Sequence, residues 1–282
     1  MAEIINVSAI AKVEKEKIRE RIENIRKKGN TLPTLATILV GEDPGSVYYM
    51  DMQKKTLEAL GGTMLKLTLG ADTSEEDLLS TISDLNADDD IHGIMVLFPL
   101  PKHVSESKVA MTISPEKDVD GVNPINIGLL ASTTQGVAPC TPSSVVEILQ
   151  SVFDELEGIH AVIIGRSNIV GKPLIQLLLR KNMTVTVCHS RTKDLKKVAS
   201  SGDVLISAIG KPQMIDKEYV KSGAVVIDVG TSELEGKIVG DLKLESVLEK
   251  ASLVTKVPGG VGTLTTTILM RTLIDLYESK SR

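Results

Sequence analysis

The run from His160 to Arg180 constrains the fold of this chain more than any other stretch. Its first part, His160-Ala-Val-Ile-Ile164, is short, β-branched and bounded by Gly158 and Gly165, the pattern of a fully buried strand. Gly165-Arg-Ser-Asn-Ile-Val-Gly-Lys-Pro173 follows, and Leu174-Ile-Gln-Leu-Leu-Leu-Arg180 has the spacing of an amphipathic helix. Strand, glycine turn and helix in that order form the phosphate-binding corner of a doubly wound sheet. Gly165 permits the tight turn, and backbone N–H groups at the helix start then face a pyrophosphate. The spacing through Gly165, Ser167 and Gly171 relaxes the usual three-glycine fingerprint, and alone it also describes ordinary strand-helix turns. Context decides. Thr184-Val-Thr-Val-Cys188 ends in His189-Ser-Arg-Thr192, Asp203-Val-Leu-Ile-Ser-Ala208 runs to Gly210, and Ala224-Val-Val-Ile-Asp228 runs to Gly230 and Thr231. Strands recurring at this interval, each ending near glycine, predict a Rossmann-type dinucleotide domain.

A length of 282 residues suggests two domains. Apolar residues make up 42% and charged ones 24%, enough for an ordinary core. With four Tyr, two Phe and no Trp, that core must be aliphatic, and nucleobases would find no stacking platform. A net charge of -5 points the same way, so nucleic acid is not an expected partner. Cys140 and Cys188 are too few and too distant for a disulfide framework or a CxxC metal site. His92, His103, His160 and His189 lack zinc-site spacing, and no metal is expected. No leader-type apolar segment and no membrane-spanning run is evident, which gives the expectation of a soluble, cytoplasmic protein.

The first 120 residues alternate helix and strand and predict a small α/β domain of their own. A helix capped by Ser8 runs to Lys28, with Ile10, Val13, Ile18, Ile22 and Ile25 on one face. Leu35–Val40 is a buried strand, Ser46 caps a helix to Leu60, and Thr63–Leu69 is the next strand. Thr73-Ser-Glu-Glu76 reads as a capping box, and Ile91–Leu97 as a third strand. Lys117-Asp-Val-Asp-Gly121 is a polar loop, and the Pro-, Gly-, Thr- and Ser-rich segment that follows is the expected connection between domains. A helix follows from Ser143 to Phe153. The expected domains are residues 1–138 and 139–263, with a terminal helix over 264–282 rejoining the first.

Several of these stretches coincide with one family. Gly41-Glu-Asp-Pro-Gly-Ser46 with Tyr49, Lys117-Asp-Val-Asp-Gly121, Pro139-Cys-Thr-Pro142 and Gly165–Pro173 occur in order. Val226-Ile-Asp-Val-Gly230, Val239-Gly-Asp241 and Val257-Pro-Gly-Gly-Val-Gly262 complete the set. Together they resemble methylenetetrahydrofolate dehydrogenase/cyclohydrolase over nearly the whole chain. The resemblance implies two α/β domains joined by long helices, a folate cleft between them, NADP on the C-terminal one, and a homodimer formed through the dinucleotide domains. It implies that Asp120 meets the pterin ring, although such a residue before Gly121 also suits an Asx turn. Pro258, Gly259 and Gly260 would bring backbone close to folate and nicotinamide, since glycine has no Cβ.

The chain departs from the family where water chemistry is done. The family uses a Lys one helical turn after the Tyr, supported by a Gln from a nearby strand end. Aligned on Pro44-Gly-Ser46 and Tyr49, the Lys position is Gln53 and the Gln position is Leu97, in Leu97-Phe-Pro-Leu-Pro101. Thr263 stands where the family usually has Pro. Hydride transfer needs positioning and exclusion of water, because the cation it leaves is delocalised over two nitrogens. Cyclohydrolysis needs a proton-handling group as well. The expectation is therefore a dehydrogenase with absent or weak cyclohydrolase activity, using Tyr49, Gln53 and Asp120, with Leu97 against the substrate. A fully bifunctional enzyme using Lys54 and a non-catalytic partner subunit are the alternatives.

NADP is the expected cofactor. NAD enzymes place an acid at the end of the second strand, whereas Cys188-His-Ser-Arg-Thr192 offers Ser190 and Arg191 to a 2′-phosphate. Arg166 presents a second guanidinium, and His189 lies nearby in sequence. The expected cofactor set is thus Gly165, Arg166, Ser167, Gly171, Ser190, Arg191, Gly210 and Thr231.

Overall fold

A computed structural model describes residues 2–132 and 135–280. Met1, Thr133, Thr134, Ser281 and Arg282 lie outside the described residues, including the last two positions of the expected terminal helix. The chain divides into two compact units. One comprises Val13–Cys140 and Thr266–Arg282, the other Met1–Lys12 and Thr141–Thr265. No helix of the described residues is long and apolar enough to cross a membrane.

In the first unit, three parallel strands pair in the order Thr63–Leu69, Thr34–Val40, Gly93–Val96. The central strand is buried from Leu35 to Val40, as a near-continuous apolar run in a parallel sheet should be. Ile38, Ile82, Ile94 and Val109 lie in the aliphatic core beside it. The expected strand Ile91–Leu97 shortens to Gly93–Val96. Gly93 is a packing requirement, because a Cβ there would lie 2.7 Å from Leu273 Cδ1 and inside the Val119 side chain.

Helix Pro44–Leu60 leads from the central strand into the candidate site. Its cap is Asp43 rather than Ser46: Asp43 Oδ2 accepts from Ser46 N at 2.8 Å and from Ser46 Oγ at 2.9 Å. Pro44 is the reason, since proline fits the first helical position and pushes the cap to the residue before it. Gly61, at φ 96, ends the helix. Ser74, one residue later than expected, caps Glu75–Ala87 by accepting from Asp77 N at 3.1 Å.

Helix Val7–Lys27 is capped by Asn6, whose Oδ1 accepts from Ala9 N at 3.1 Å, and not by Ser8. Ile18, Ile22 and Ile25 are buried as expected, but Val13 is 57% exposed. The neighbouring stripe position is Glu14, buried with its carboxylate against Lys17 at 2.6 Å and Arg271 at 3.4 Å.

In the second unit, six parallel strands run Glu3–Ile4, Leu253–Val254, Val225–Asp228, Val204–Ser207, His160–Ile164, Thr184–Cys188. The four longer strands were legible, whereas the two-residue strands were not. Glu3–Ile4 adds an edge strand to this sheet, Glu3 pairing with Leu253. An unanticipated hairpin joins Ser232–Leu234 to Lys237–Val239 through Glu235 and Gly236, both at positive φ. The last helix, Val261–Lys280, starts earlier than expected at Leu264.

Candidate active site

Tyr49 and Gln53 lie four residues apart, so one face of Pro44–Leu60 carries both. Gln53 is completely buried. Its Oε1 accepts from Thr37 Oγ1 at 3.3 Å, its Nε2 donates to Met95 Sδ at 3.2 Å, and it also bonds the Tyr49 side chain. Lys54 turns away and pairs with Glu58 at 3.7 Å on the exposed side. Leu97 is buried beside the sheet, its N–H donating to Ile38 O at 2.9 Å, and its side chain offers no hydrogen bond.

The loop carrying Asp120 is fixed from both sides. Lys117 is buried and donates through Nζ to Leu85 O at 3.0 Å and Asp88 O at 2.6 Å, satisfying carbonyls at the end of helix Glu75–Ala87. Asp118, also buried, accepts from Val122 N at 3.2 Å, Asn123 N at 2.8 Å and Asn126 Nδ2 at 2.9 Å. Gly121 sits at φ 63, and a Cβ there would meet Pro139 N at 2.7 Å. The Asp120 carboxyl then meets the backbone N–H and thiol of Cys140. Burial, followed by the Asp118 charge, pushes Asp120 up to about 7, and the Cys140 donors offset only part of this. Burial and then the Asp120 charge push Tyr49 up to about 12, so its phenol stays a neutral donor. Burial also holds the Cys140 thiol well above its ordinary range. This grouping could grip a polar heterocycle through a carboxyl group and a phenol.

The second unit holds the other expected residues. Gly165 sits at φ 130, and a Cβ there would collide with Ala208 O. A Cβ on Gly171 would lie 2.5 Å from Gly165 O and 2.7 Å from Arg166 Cα. Both glycines thus permit the close approach that a phosphate-binding turn requires, and the turn fits a dinucleotide. Ser167 Oγ accepts from Val170 N at 3.1 Å and Gly171 N at 3.4 Å, which organises the helix start and leaves the hydroxyl proton to donate outward. Arg166, Ser190, Arg191 and Thr231 are exposed. The loop bearing Ser190 and Arg191 is pinned by His189, whose N donates to Thr192 Oγ1 at 2.8 Å and whose Nδ1 accepts from Arg191 N at 3.2 Å. Gly210, at φ 62, has open space where a side chain would project. Among Pro258, Gly259 and Gly260, the last leaves no room for a Cβ against Lys256 O. Thr263 N donates to Gly260 O at 2.9 Å, a bond that the family's usual Pro could not make. Among the described residues, no group of three or more His, Cys, Asp or Glu could hold a metal ion.

Sequence reasoning gave no role to Thr37, Met95, Asp118, Cys140, Asp228 or Asp241. Thr37 and Met95 belong to strands that read only as core, and the others sat in motifs without an assigned partner. Their importance depends on contacts between segments distant in sequence.

Comparison with known proteins adds two family matches. Residues 5–120 match the catalytic domain of tetrahydrofolate dehydrogenase/cyclohydrolase. Residues 139–281 match its NAD(P)-binding domain. A protein of Clostridium botulinum named bifunctional protein FolD is 48% identical over 271 residues, 96% of each chain. The solved structure of FolD methylenetetrahydrofolate dehydrogenase/cyclohydrolase from Campylobacter jejuni is 39% identical, with TM-score 0.96 over 99% of this chain and 100% of that one. That of the Trypanosoma brucei enzyme, complexed with NADP cofactor and inhibitor, is 32% identical, with TM-score 0.94 over 100% of this chain and 99% of that one.

Proposed function

The chain belongs to the tetrahydrofolate dehydrogenase/cyclohydrolase family, and we propose that it oxidises 5,10-methylenetetrahydrofolate to 5,10-methenyltetrahydrofolate with NADP+ while hydrolysing the product weakly or not at all. The observation that carries this reading is the Gln53 amide, buried and committed to Thr37 and Met95 where the family's lysine acts. An amide has no pKa near neutrality with which to relay a proton to or from water. Leu97, in place of the supporting glutamine, removes the second polar group from the same step. Lys54 is no substitute, since it points to solvent and pairs with Glu58.

What remains suffices for the redox half. Asp120 anchors the pterin, and its raised pKa lets it present either a proton or a lone pair near neutral pH. Tyr49 donates from a phenol that stays protonated. Pro258, Gly259 and Gly260 bring backbone to the reacting carbon, and Leu97 helps keep water from it. Gly165, Arg166, Ser167, Gly171, Gly210 and Thr231 hold the dinucleotide, with Ser190 and Arg191 on its 2′-phosphate. When bound, NADP+ supplies the hydride acceptor. The working form is a cytoplasmic homodimer of chains whose catalytic part spans residues 1–138 plus the terminal helix and whose NADP part spans 139–263.

The second reading, a fully bifunctional enzyme, is favoured by the names of relatives such as the Clostridium botulinum protein. One assay separates the two. Purified enzyme is given 5,10-methenyltetrahydrofolate, and its loss is followed by absorbance against the uncatalysed rate in the same buffer. No acceleration, together with NADP+-dependent formation of methenyl-folate from methylene-folate, is the expected result. Clear acceleration that Lys54→Ala abolishes establishes the bifunctional reading instead.

A further inference from the structure

Asp241 is fully buried, and its carboxylate is committed to one short loop. Oδ2 accepts from Ser207 Oγ at 2.8 Å and from Ile209 N at 2.8 Å, and Oδ1 accepts from Lys211 N at 2.8 Å. All three donors lie at the end of strand Val204–Ser207 or in the loop after it, with Gly210 between the last two. The opposite side of this loop presses on the phosphate-binding turn. Ala208 N donates to Ile164 O at 2.8 Å, and Ala208 O occupies the space that a side chain at Gly165 would need. Residues 207–211 are therefore clamped between the glycine turn and the Asp241 carboxylate.

Asp241 is itself held in place. Asp228 Oδ1 accepts from Asp241 N at 3.0 Å and Gly230 N at 3.1 Å, and Oδ2 accepts from Leu242 N at 3.1 Å. Asp228 N donates to Thr255 Oγ1 at 2.7 Å. Gly230 lies directly on the Asp241 carboxyl and Gly240 on that of Asp228, so a Cβ at either would overlap it. Two buried carboxylates in sequence thus connect the ends of strands Val204–Ser207 and Val225–Asp228, where a doubly wound sheet binds its nucleotide. Burying them is costly, and burial pushes Asp228 up to about 6. A carboxylate is acceptor-only, so both its oxygens take these three donors, whereas an amide would turn an NH2 donor toward at least one of them.

We propose that Asp241 is a positioning residue for NADP+, setting the Gly210 loop and the Gly230–Thr231 backbone at the heights the dinucleotide requires. The inference rests on the dinucleotide reading above. It is tested on the full chain by calorimetric titration with NADP+ and with tetrahydrofolate, together with amide hydrogen exchange across residues 207–211. Loss of one charge-assisted bond in Ser207→Ala should weaken NADP+ binding about threefold or more, and Asp241→Asn about tenfold or more. Tetrahydrofolate affinity should change by less than about twofold, since the groups assigned to the pterin lie elsewhere. Exchange at Ile209 and Lys211 should accelerate. Unchanged NADP+ affinity despite faster exchange overturns the proposal, as does equal weakening toward both ligands, which marks general destabilisation. Should Asp241→Asn fail to fold, Ser207→Ala decides by the same readouts. If the unaltered chain binds no NADP+, the dinucleotide reading fails and takes this inference with it. Binding by the unaltered chain that both variants retain removes only the role of Asp241.

Discussion

Gln53 Nε2 donates to the sulfur of Met95 across 3.2 Å, and the two side chains are buried together. A thioether is a weak acceptor and carries no charge. The Gln53 side chain thus sits between neutral partners that suit an amide rather than an ammonium.

Gln53→Lys alone should therefore restore little cyclohydrolase activity. It places a cation against Met95 and Thr37, neither of which carries charge, and should destabilise the fold by about 1–3 kcal/mol in a urea titration. Gln53→Lys with Leu97→Gln should restore more. Near-complete recovery in the single variant, read as methenyl-folate decay, would contradict this account.

Asp120 gives a pH-dependent contribution of definite sign. Its pKa rises from 3.8 unfolded to about 7 folded, so the contribution to stability is fully present below the unfolded value and lost as pH rises through about 7. Asp120→Asn should accordingly be more stable than the unaltered chain at about pH 8, by about 1 kcal/mol or more, and the gain should vanish near pH 4. The same variant should lose folate affinity or turnover equivalent to about 1.5–3 kcal/mol. Denaturant midpoints that shift equally at both pH values would rule out the assigned protonation.

Arg191→Ala should weaken NADP+ binding by about tenfold while leaving NAD+ nearly untouched, if the guanidinium addresses the 2′-phosphate as proposed. Titration with both nucleotides checks it. Equal effects on the two would assign Arg191 to the loop rather than to the phosphate.

Gly171→Ala brings a Cβ to 2.5 Å from Gly165 O. The turn must open to accept it. A cost of about 1–3 kcal/mol is expected in thermal unfolding, with NADP+ affinity falling alongside. Gly210→Ala meets no neighbour, and its cost should come only from its positive φ.

Long, apolar or strongly periodic elements were legible from sequence, among them Thr34–Val40, His160–Ile164 and the helix carrying Tyr49. Glu3–Ile4 and Leu253–Val254 were not, because a two-residue strand has no periodicity and exists only through its pairing partner. Ser8 and Ser46 were plausible caps by residue type, yet Asn6 and Asp43 hold those positions because the backbone turns one or more residues earlier. Around the candidate site, Gln53 and Leu97 stood out against a motif. Their partners Thr37 and Met95, and the brace of Asp228 and Asp241, depend on distances that no local pattern encodes.

The pairing of Glu3 with Leu253 also dictates when this protein can finish folding. Ala2, Glu3 and Ile5 donate in turn to Leu248, Ser252 and Val254. During synthesis Glu3–Ile4 must therefore wait until Leu253–Val254 has been made before the strand has a neighbour. The other unit waits too, because it includes Thr266–Arg282, against which Gly93 packs through Leu273. The six-stranded sheet cannot be completed until Leu253–Val254 has been made, so Glu3–Ile4 and Val225–Asp228 each carry an open edge until then. Closure of both units therefore comes late, after residues 253–273 have been made.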